Sequence, residues 1–194
     1  MKKGNKSYSI GLSKPIIAKY VYDETTQLIS YTDAFRCGEA VQAQITPAYV
    51  SAQLYGDNKI VDEVNEFKNA AITMGSTTMP WQAPKILFGH DVDNTTGVES
   101  AGANDVANYV GQAFVVKNSN GKYDALILPK VRYTEGAENF QTKGDSVSYV
   151  TPQLAGTAFP RDTDDVWRVK NFGFDSEDAA IEWIETTMGI SLNP

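Results

Sequence analysis

The sequence predicts a mostly β, α+β fold: an antiparallel β-sandwich or barrel-like core with a helix packed on it near the C-terminus. Three stretches carry that reading. Residues 38–75, GEAVQAQITPAYVSAQLYGDNKIVDEVNEFKNAAITMG, open with the clearest β-alternation in the chain. Gly111–Lys117 and Lys122–Tyr133 flank Asn118-Ser119-Asn120-Gly121, and Asn-Gly is the strongest short hairpin signal. Ser176 to Gly189 carries the start and stop signals of a helix.

In chain order, residues 1–9 are polar and glycine-containing and predict a flexible arm. Pro15 leads into a strand at Ile16–Tyr22. Residues 23–38 are loop-like, with a short strand at Leu28–Tyr31. The 38–75 stretch follows. Val41, Ala43 and Ile45 alternate with small or polar residues, which gives a strand with one buried face. At Pro47 the phase flips, and Ala48, Val50, Ala52 and Leu54 become the apolar set. A proline at the phase change predicts a bulge or bend, since proline cannot donate to the ladder. Gly56-Asp57-Asn58 supplies turn chemistry. From 58 to 68 two patterns compete. Val61, Val64, Phe67 and Ala71 recur at helical spacing, while Lys68, Ala70, Ile72 and Met74 alternate as in a strand. Pattern leaves 58–68 open between the two and makes 68–75 a strand.

Ser76–Trp81 is a connection, and Pro84–Phe88 a short helix ended by Gly89. Residues 89–109 form a long polar loop. The Asn-Gly hairpin comes next, and its second arm, with Ala125-Leu126-Ile127-Leu128 apolar on both faces, is a central strand. After a polar loop at 134–145, Ser146–Phe159 is a strand with Pro152 at a bend or edge, and Val166–Phe174 is the last strand. Ser176 then caps a helix with Glu177 and Asp178 in its first turn, where the helix dipole favours negative charge. Ile181, Ile184 and Met188 line one face beside Ala180, and Gly189 ends it.

The 194 residues are most simply one domain, here 10–194 behind the arm, large enough to bury a core without staples. Seventeen basic against twenty-four acidic residues leave a charge of −7, a poor basis for gripping nucleic-acid phosphates. The single cysteine, Cys37, permits no internal disulfide and is expected to be a buried thiol. No run of eighteen apolar residues predicts a membrane span, and no apolar segment follows the basic start, so synthesis and folding in the cytoplasm are expected.

Chemistry finds little support. His90 is the only histidine, so any Ser-His-Asp or Cys-His site depends on it; it is expected to be a solvated loop residue. Asp91, Asp93 and Glu99 invite a calcium reading, but an EF-hand loop needs glycine at its sixth position and glutamate at its twelfth, and here the glycine falls seventh and the twelfth residue is Gly102. Asp162, Asp164 and Asp165 read as a turn before a strand. No phosphate-binding glycine loop or dinucleotide fingerprint occurs. No catalytic residue, metal or cofactor is expected, and the chain is read as a non-enzyme.

Several blocks resemble one family. Ile10-Gly11-Leu12-Ser13-Lys14, Leu54-Tyr55-Gly56-Asp57, Val64-Asn65-Glu66-Phe67-Lys68-Asn69-Ala70 with Ile72-Thr73-Met74-Gly75, and Thr142-Lys143-Gly144-Asp145-Ser146-Val147 leading to Thr151-Pro152-Gln153-Leu154-Ala155-Gly156 match, in order and spacing, the major tail proteins of long-tailed phages of Gram-positive bacteria. The resemblance runs from about residue 10 to 188 and rests on co-occurrence of the blocks. It implies the tail tube fold, with residues 38–75 as a long β-hairpin; some members carry an extra C-terminal immunoglobulin-like domain, which this chain, ending soon after its helix, is expected to lack. It also implies a virion protein, assembled in the host cytoplasm, that forms hexameric rings stacked into a hollow tube. Its partners would be further copies of itself, the tape measure protein, the tail terminator and distal tail proteins, and double-stranded DNA passing without sequence-specific binding. On this reading Asp62, Glu63 and Glu66 are candidates for the lumen or the ring-to-ring contact, with an exposed strand face as the plain alternative. Tyr55, Gly56, Asp57, Asn58, Lys59, Asp91 and Asp93 are candidates for loops between subunits, and 1–9, 54–60 and 89–109 are expected to order only on assembly. Two rivals stand beside it. One is a soluble β-sandwich binding module, with Trp81, Trp167, Trp183 and the ten tyrosines as a carbohydrate-stacking platform. The other is a different virion shell or head decoration protein.

Overall fold

The computed structural model describes residues 7–138, 142 and 151–192. Its strands are β1 (Ser9–Asp23), β2 (Leu28–Arg36), β3 (Ala40–Gly56), β4 (Lys59–Ser76), β5 (Asp91–Val92), β6 (Glu99–Ser100), β7 (Tyr109–Asn118), β8 (Tyr123–Thr134), β9 (Gln153–Phe159) and β10 (Val169–Phe174). Helix α1 (Ala83–Phe88) precedes β5, and α2 (Glu177–Met188) follows β10. Eight strands form one antiparallel sheet in the order β2-β1-β7-β8-β9-β4-β3, and β10 lies beside the first half of β8. β5 and β6 pair separately.

The sheet is curled by its own connectivity. β2 and β3 are the two ends of the strand order, yet only Cys37, Gly38 and Glu39 join them. Seven flat strands would place the end strands about 29 Å apart, whereas that link reaches about 14 Å. The sheet therefore wraps round, and Cys37 N–H donates to the Pro15 carbonyl of β1 as the link crosses. One apolar cluster fills the concave side. It unites Phe35 and Cys37 with Ile17, Ile72, Met74, Phe114, Leu128, Val131 and Tyr133, and with Ala83, Ile86 and Leu87 of α1. Burial pushes the Cys37 thiol up to about 12, so the expected inert thiol is found.

On the convex side α2 covers Ile16, Ala18, Ala113, Val115, Ala125 and Ile127 with Ala180, Ile181, Ile184 and Met188. β8 thus feeds alternate residues to both clusters, as a central strand does. The Ser176 hydroxyl accepts from Ala179 N–H at 3.2 Å and Gly189 closes the far end at φ 64°, both as expected. Ser13 on β1 donates to Glu177 in the first turn of the helix. A Cβ on Gly111 would lie 2.5 Å from Tyr31 and 2.6 Å from Met188, so only glycine lets the end of α2 and the Tyr31 ring meet β7.

Several expected boundaries move. β1 begins at Ser9, because Tyr8 and Ser119 exchange hydrogen bonds with the β7–β8 turn; residues 7–9 are not a free arm, and 1–6 lie outside the described residues. β2 continues past Tyr31 to Arg36, since its pairing with β1 runs on to Ile16. Residues 89–108 are not a structureless loop: the β5–β6 pair folds back against α1. Within Ser146–Phe159 the described strand starts at Gln153, with Pro152 just ahead of it; 143–150 lie outside the described residues.

The strap from β9 to β10 is held by one carboxylate. Asp162 accepts from Lys130 Nζ at 2.7 Å on both oxygens and from the Tyr20 hydroxyl at 2.6 Å. Burial pushes this carboxyl up, but the hydrogen bonds from Lys130 and Tyr20 outweigh burial and hold it below the usual range. With the folded pKa depressed, the stabilisation is present above the unfolded carboxylate value, about 3.9, and is lost as pH falls through the folded one. Asp162→Asn should therefore cost about 1 kcal/mol at neutral pH. The gap to the parent should close on acidification, read by denaturant titrations at pH 7 and pH 3.

Candidate assembly interface

Beyond the body of the sheet, β3 and β4 run on as a two-stranded arm. Pairing runs from Ala40–Ser76 to Gly56–Lys59 through three bulges, so residues 59–68 are strand, as the family resemblance implied, and Asn58 belongs to the turn. β9 covers β4 only between Ala70 and Gly75. From there outward, among the described residues, nothing pairs with either edge of the arm, and every side chain described between Ala48 and Glu66 is exposed. Nine residues per strand give a projection of about 30 Å. Asp57 and Asn58 turn the tip at φ 50° and 62°, the two positive angles a two-residue hairpin needs. Tyr55, Gly56 and Lys59 flank that turn, so five of the predicted contact residues form one ordered tip.

The register assigns each side chain to a face, because directly opposed residues share one. β3 carries no extra residue between Gln42 and Leu54; the nearby bulges lie in β4, at Lys68 and Val61. The bulge expected at Pro47 lies one pair further out and on the partner strand, at Lys68, while Pro47 pairs with Ala70 on the free-edge strand, the kind of strand that tolerates proline. Ala43, Ile45 and Pro47 thus share the concave face with Tyr49, Ser51 and Gln53, while Ala48, Val50, Ala52 and Leu54 all lie on the convex face. The phase flip at Pro47 is a true change of face: the apolar stripe leaves the core side and continues on the other side of the sheet.

Cross-strand partners complete both faces. Val50, Ala52 and Leu54 stand opposite Glu66, Val64 and Asp62 on the convex face. Ser51 and Gln53 stand opposite Asn65 and Glu63 on the concave face. There the Tyr55 hydroxyl donates to Gln53 at 2.7 Å and Asn65 Nδ2 donates to Glu63 at 3.3 Å. The three candidate acids are therefore divided, Asp62 and Glu66 on one face and Glu63 on the other. Residues 48–67 carry one lysine and four acids, a charge of −3.

The arm is anchored at its root. Phe67 stacks on Trp167 at 4.6 Å with the rings 12° apart, and Tyr49 meets Phe67 edge-on at 6.0 Å. Arg168 lies 4.5 Å over the outer ring of that stack. No local pattern could have announced a contact between residues one hundred positions apart. Trp183 instead packs on Phe174 in the convex-side cluster, so Trp167 and Trp183 do not share a platform.

The other expected site residues belong to the body. Asp93 accepts from Thr95 N–H at 2.7 Å and from the Thr96 hydroxyl at 2.7 Å, which holds its carboxyl below the usual range and folds the β5–β6 turn. Asp91 pairs with Ser100 across that hairpin. His90 is not solvated: it is 5% exposed, with Nδ1 2.7 Å from Glu99 and Nε2 3.8 Å from Glu135, because the β5–β6 hairpin closes over it. Among the described residues no three His, Cys, Asp or Glu side chains are placed to hold a metal ion, and no helix is long and apolar enough to cross a membrane.

Neither a protein-family model nor a curated protein sequence matches the chain. The arm's geometry and the resemblance of its sequence blocks therefore carry the functional reading.

The root stack makes the arm's direction testable. Trp167→Ala should leave the body folded but extend fast amide exchange from residues 48–66 inward to Phe67–Asn69, measured by hydrogen exchange on the unassembled protein.

Proposed function

We propose that this chain is a structural, self-assembling subunit of a phage tail tube, built as stacked rings around a channel. The observation that carries the reading is the arm: a hairpin exposed on both faces and free on both edges from Ala48 to Glu66. An isolated two-stranded ribbon is marginal in water, and a long open edge is a template for pairing. Natural chains protect such edges, and joining the arms of neighbouring copies edge to edge removes them. A head-to-tail contact of this kind closes into a ring when the rotation allows, and rings then stack.

The charge supports the same reading. A net acidic subunit repels phosphate, so a channel it lines lets DNA slide. Tape measure, terminator and distal tail proteins are the partners this assembly calls for.

Electron microscopy of the concentrated protein is expected to show hollow tubes or six-fold rings. A variant in which Asn-Gly replaces residues 50–66, joining the opposed pair Tyr49 and Phe67 by a two-residue turn, should keep the circular dichroism of a folded body and form neither. Tubes from the armless variant, or a parent that never associates, would overturn the proposal.

A further inference from the structure

The change of face at Pro47 says more than that the arm associates. Inside the body, the apolar residues of β3 point to the concave side, where the core lies; Ala43 and Ile45 pack against it. Past Pro47 the alternation of β3 continues without a bulge, yet the apolar residues are Val50, Ala52 and Leu54, on the opposite side. Nothing in the described chain covers them: Val50 is 55%, Leu54 63% and Val64, opposite Ala52, 48% exposed. Between the Tyr49–Phe67 pair at the root and the Tyr55–Ile60 pair at the tip, the concave side of the same segment is Ser51, Gln53, Glu63 and Asn65, all polar. An arm meant to sit in water on both faces has no need of this division, and one meant to continue the core would carry its apolar residues on the concave face.

We infer that the convex face of the arm is a docking surface for a second copy of this chain, and that its concave face stays in water. This rests on the assembly proposed above. It assigns the candidate acids different places: Glu63 faces the aqueous side, whereas Asp62 and Glu66 line the buried side along β4, next to an apolar lane along β3.

Two features name a second copy as the occupant. The arm presents two free edges, the outer edge of β3 and that of β4 beyond Ala70, so one ribbon both offers and accepts a strand and is complementary to itself. The area agrees. A face about 30 Å long and about 10 Å wide covers about 300 Å², well under the roughly 800 Å² per partner of a stable pair. A single docked arm does not hold two copies together; a ring of them does, which makes association cooperative.

The test uses adjacent positions on opposite faces. Ala52→Cys and Ser51→Cys are made in the full chain, where the native Cys37 is buried with its thiol pushed up to about 12 and so reacts poorly. Maleimide labelling is followed in dilute and in concentrated, assembled protein, with light scattering to report association. The expected result is that Ala52→Cys labels about tenfold more slowly on assembly, as a site closed to reagent does, while Ser51→Cys keeps its rate. Ser51→Asp should then assemble and Ala52→Asp should not. Assembly in which Ser51→Cys is protected and Ala52→Cys stays open, or in which both behave alike, overturns the face assignment and leaves the assembly reading standing. A chain that stays monomeric at every concentration, with both thiols open throughout, overturns both.

Discussion

Everything in this fold depends on the three-residue link from β2 to β3. Strands at opposite ends of a seven-strand order are joined by Cys37, Gly38 and Glu39, and the sheet curls because the link cannot stretch. Curling creates the concave space that Ile72, Met74, Phe114 and Tyr133 fill and that α1 plugs with Ile86 and Leu87. It also leaves a convex back, and α2 buries that back over β1, β7 and β8. A cysteine suits the link: it is small and apolar, and at its site the charged form is strongly disfavoured.

The same strands that close the body leave it. β4 is held by β9 for six residues and by β3 for its full length, so the outer two thirds of the hairpin depend on one neighbour only. The Phe67–Trp167 stack marks the boundary between a sheet supported by a core and a ribbon that no other described residue supports. That boundary falls within a few residues of Pro47, on the partner strand, and of the bulge at Lys68. Three devices thus converge on one level of the hairpin: a proline on the free edge, an extra residue on the inner strand and an aromatic anchor. Together they mark where the arm leaves the body.

The change of face also explains why the sequence between 58 and 68 reads in two ways. Val64 lies on the convex face and Phe67 on the concave one, so their spacing of three is a step across the sheet rather than a turn of helix. A strand that moves its apolar residues from one side to the other mimics helical periodicity for one interval. The division of Asp62 and Glu66 from Glu63 has the same origin: the pleat alternates, and three acids close in sequence cannot all face one way.

Local features were legible in the residues alone: the Asn-Gly hairpin, the capped helix α2, the short helix ended by Gly89 and the phase flip at Pro47. Each depends on neighbours within a few residues, where turn angles, caps and alternation act. That the flip is a change of face emerged from the strand pairing, because it requires knowing that the bulge lies in β4. The burial of His90 under β5–β6, the latch of Asp162 on Lys130 and Tyr20, and the anchoring of the arm on Trp167 were likewise beyond local reading. They join residues separated along the chain by packing, and packing leaves no periodic mark in either segment until both are seen in place.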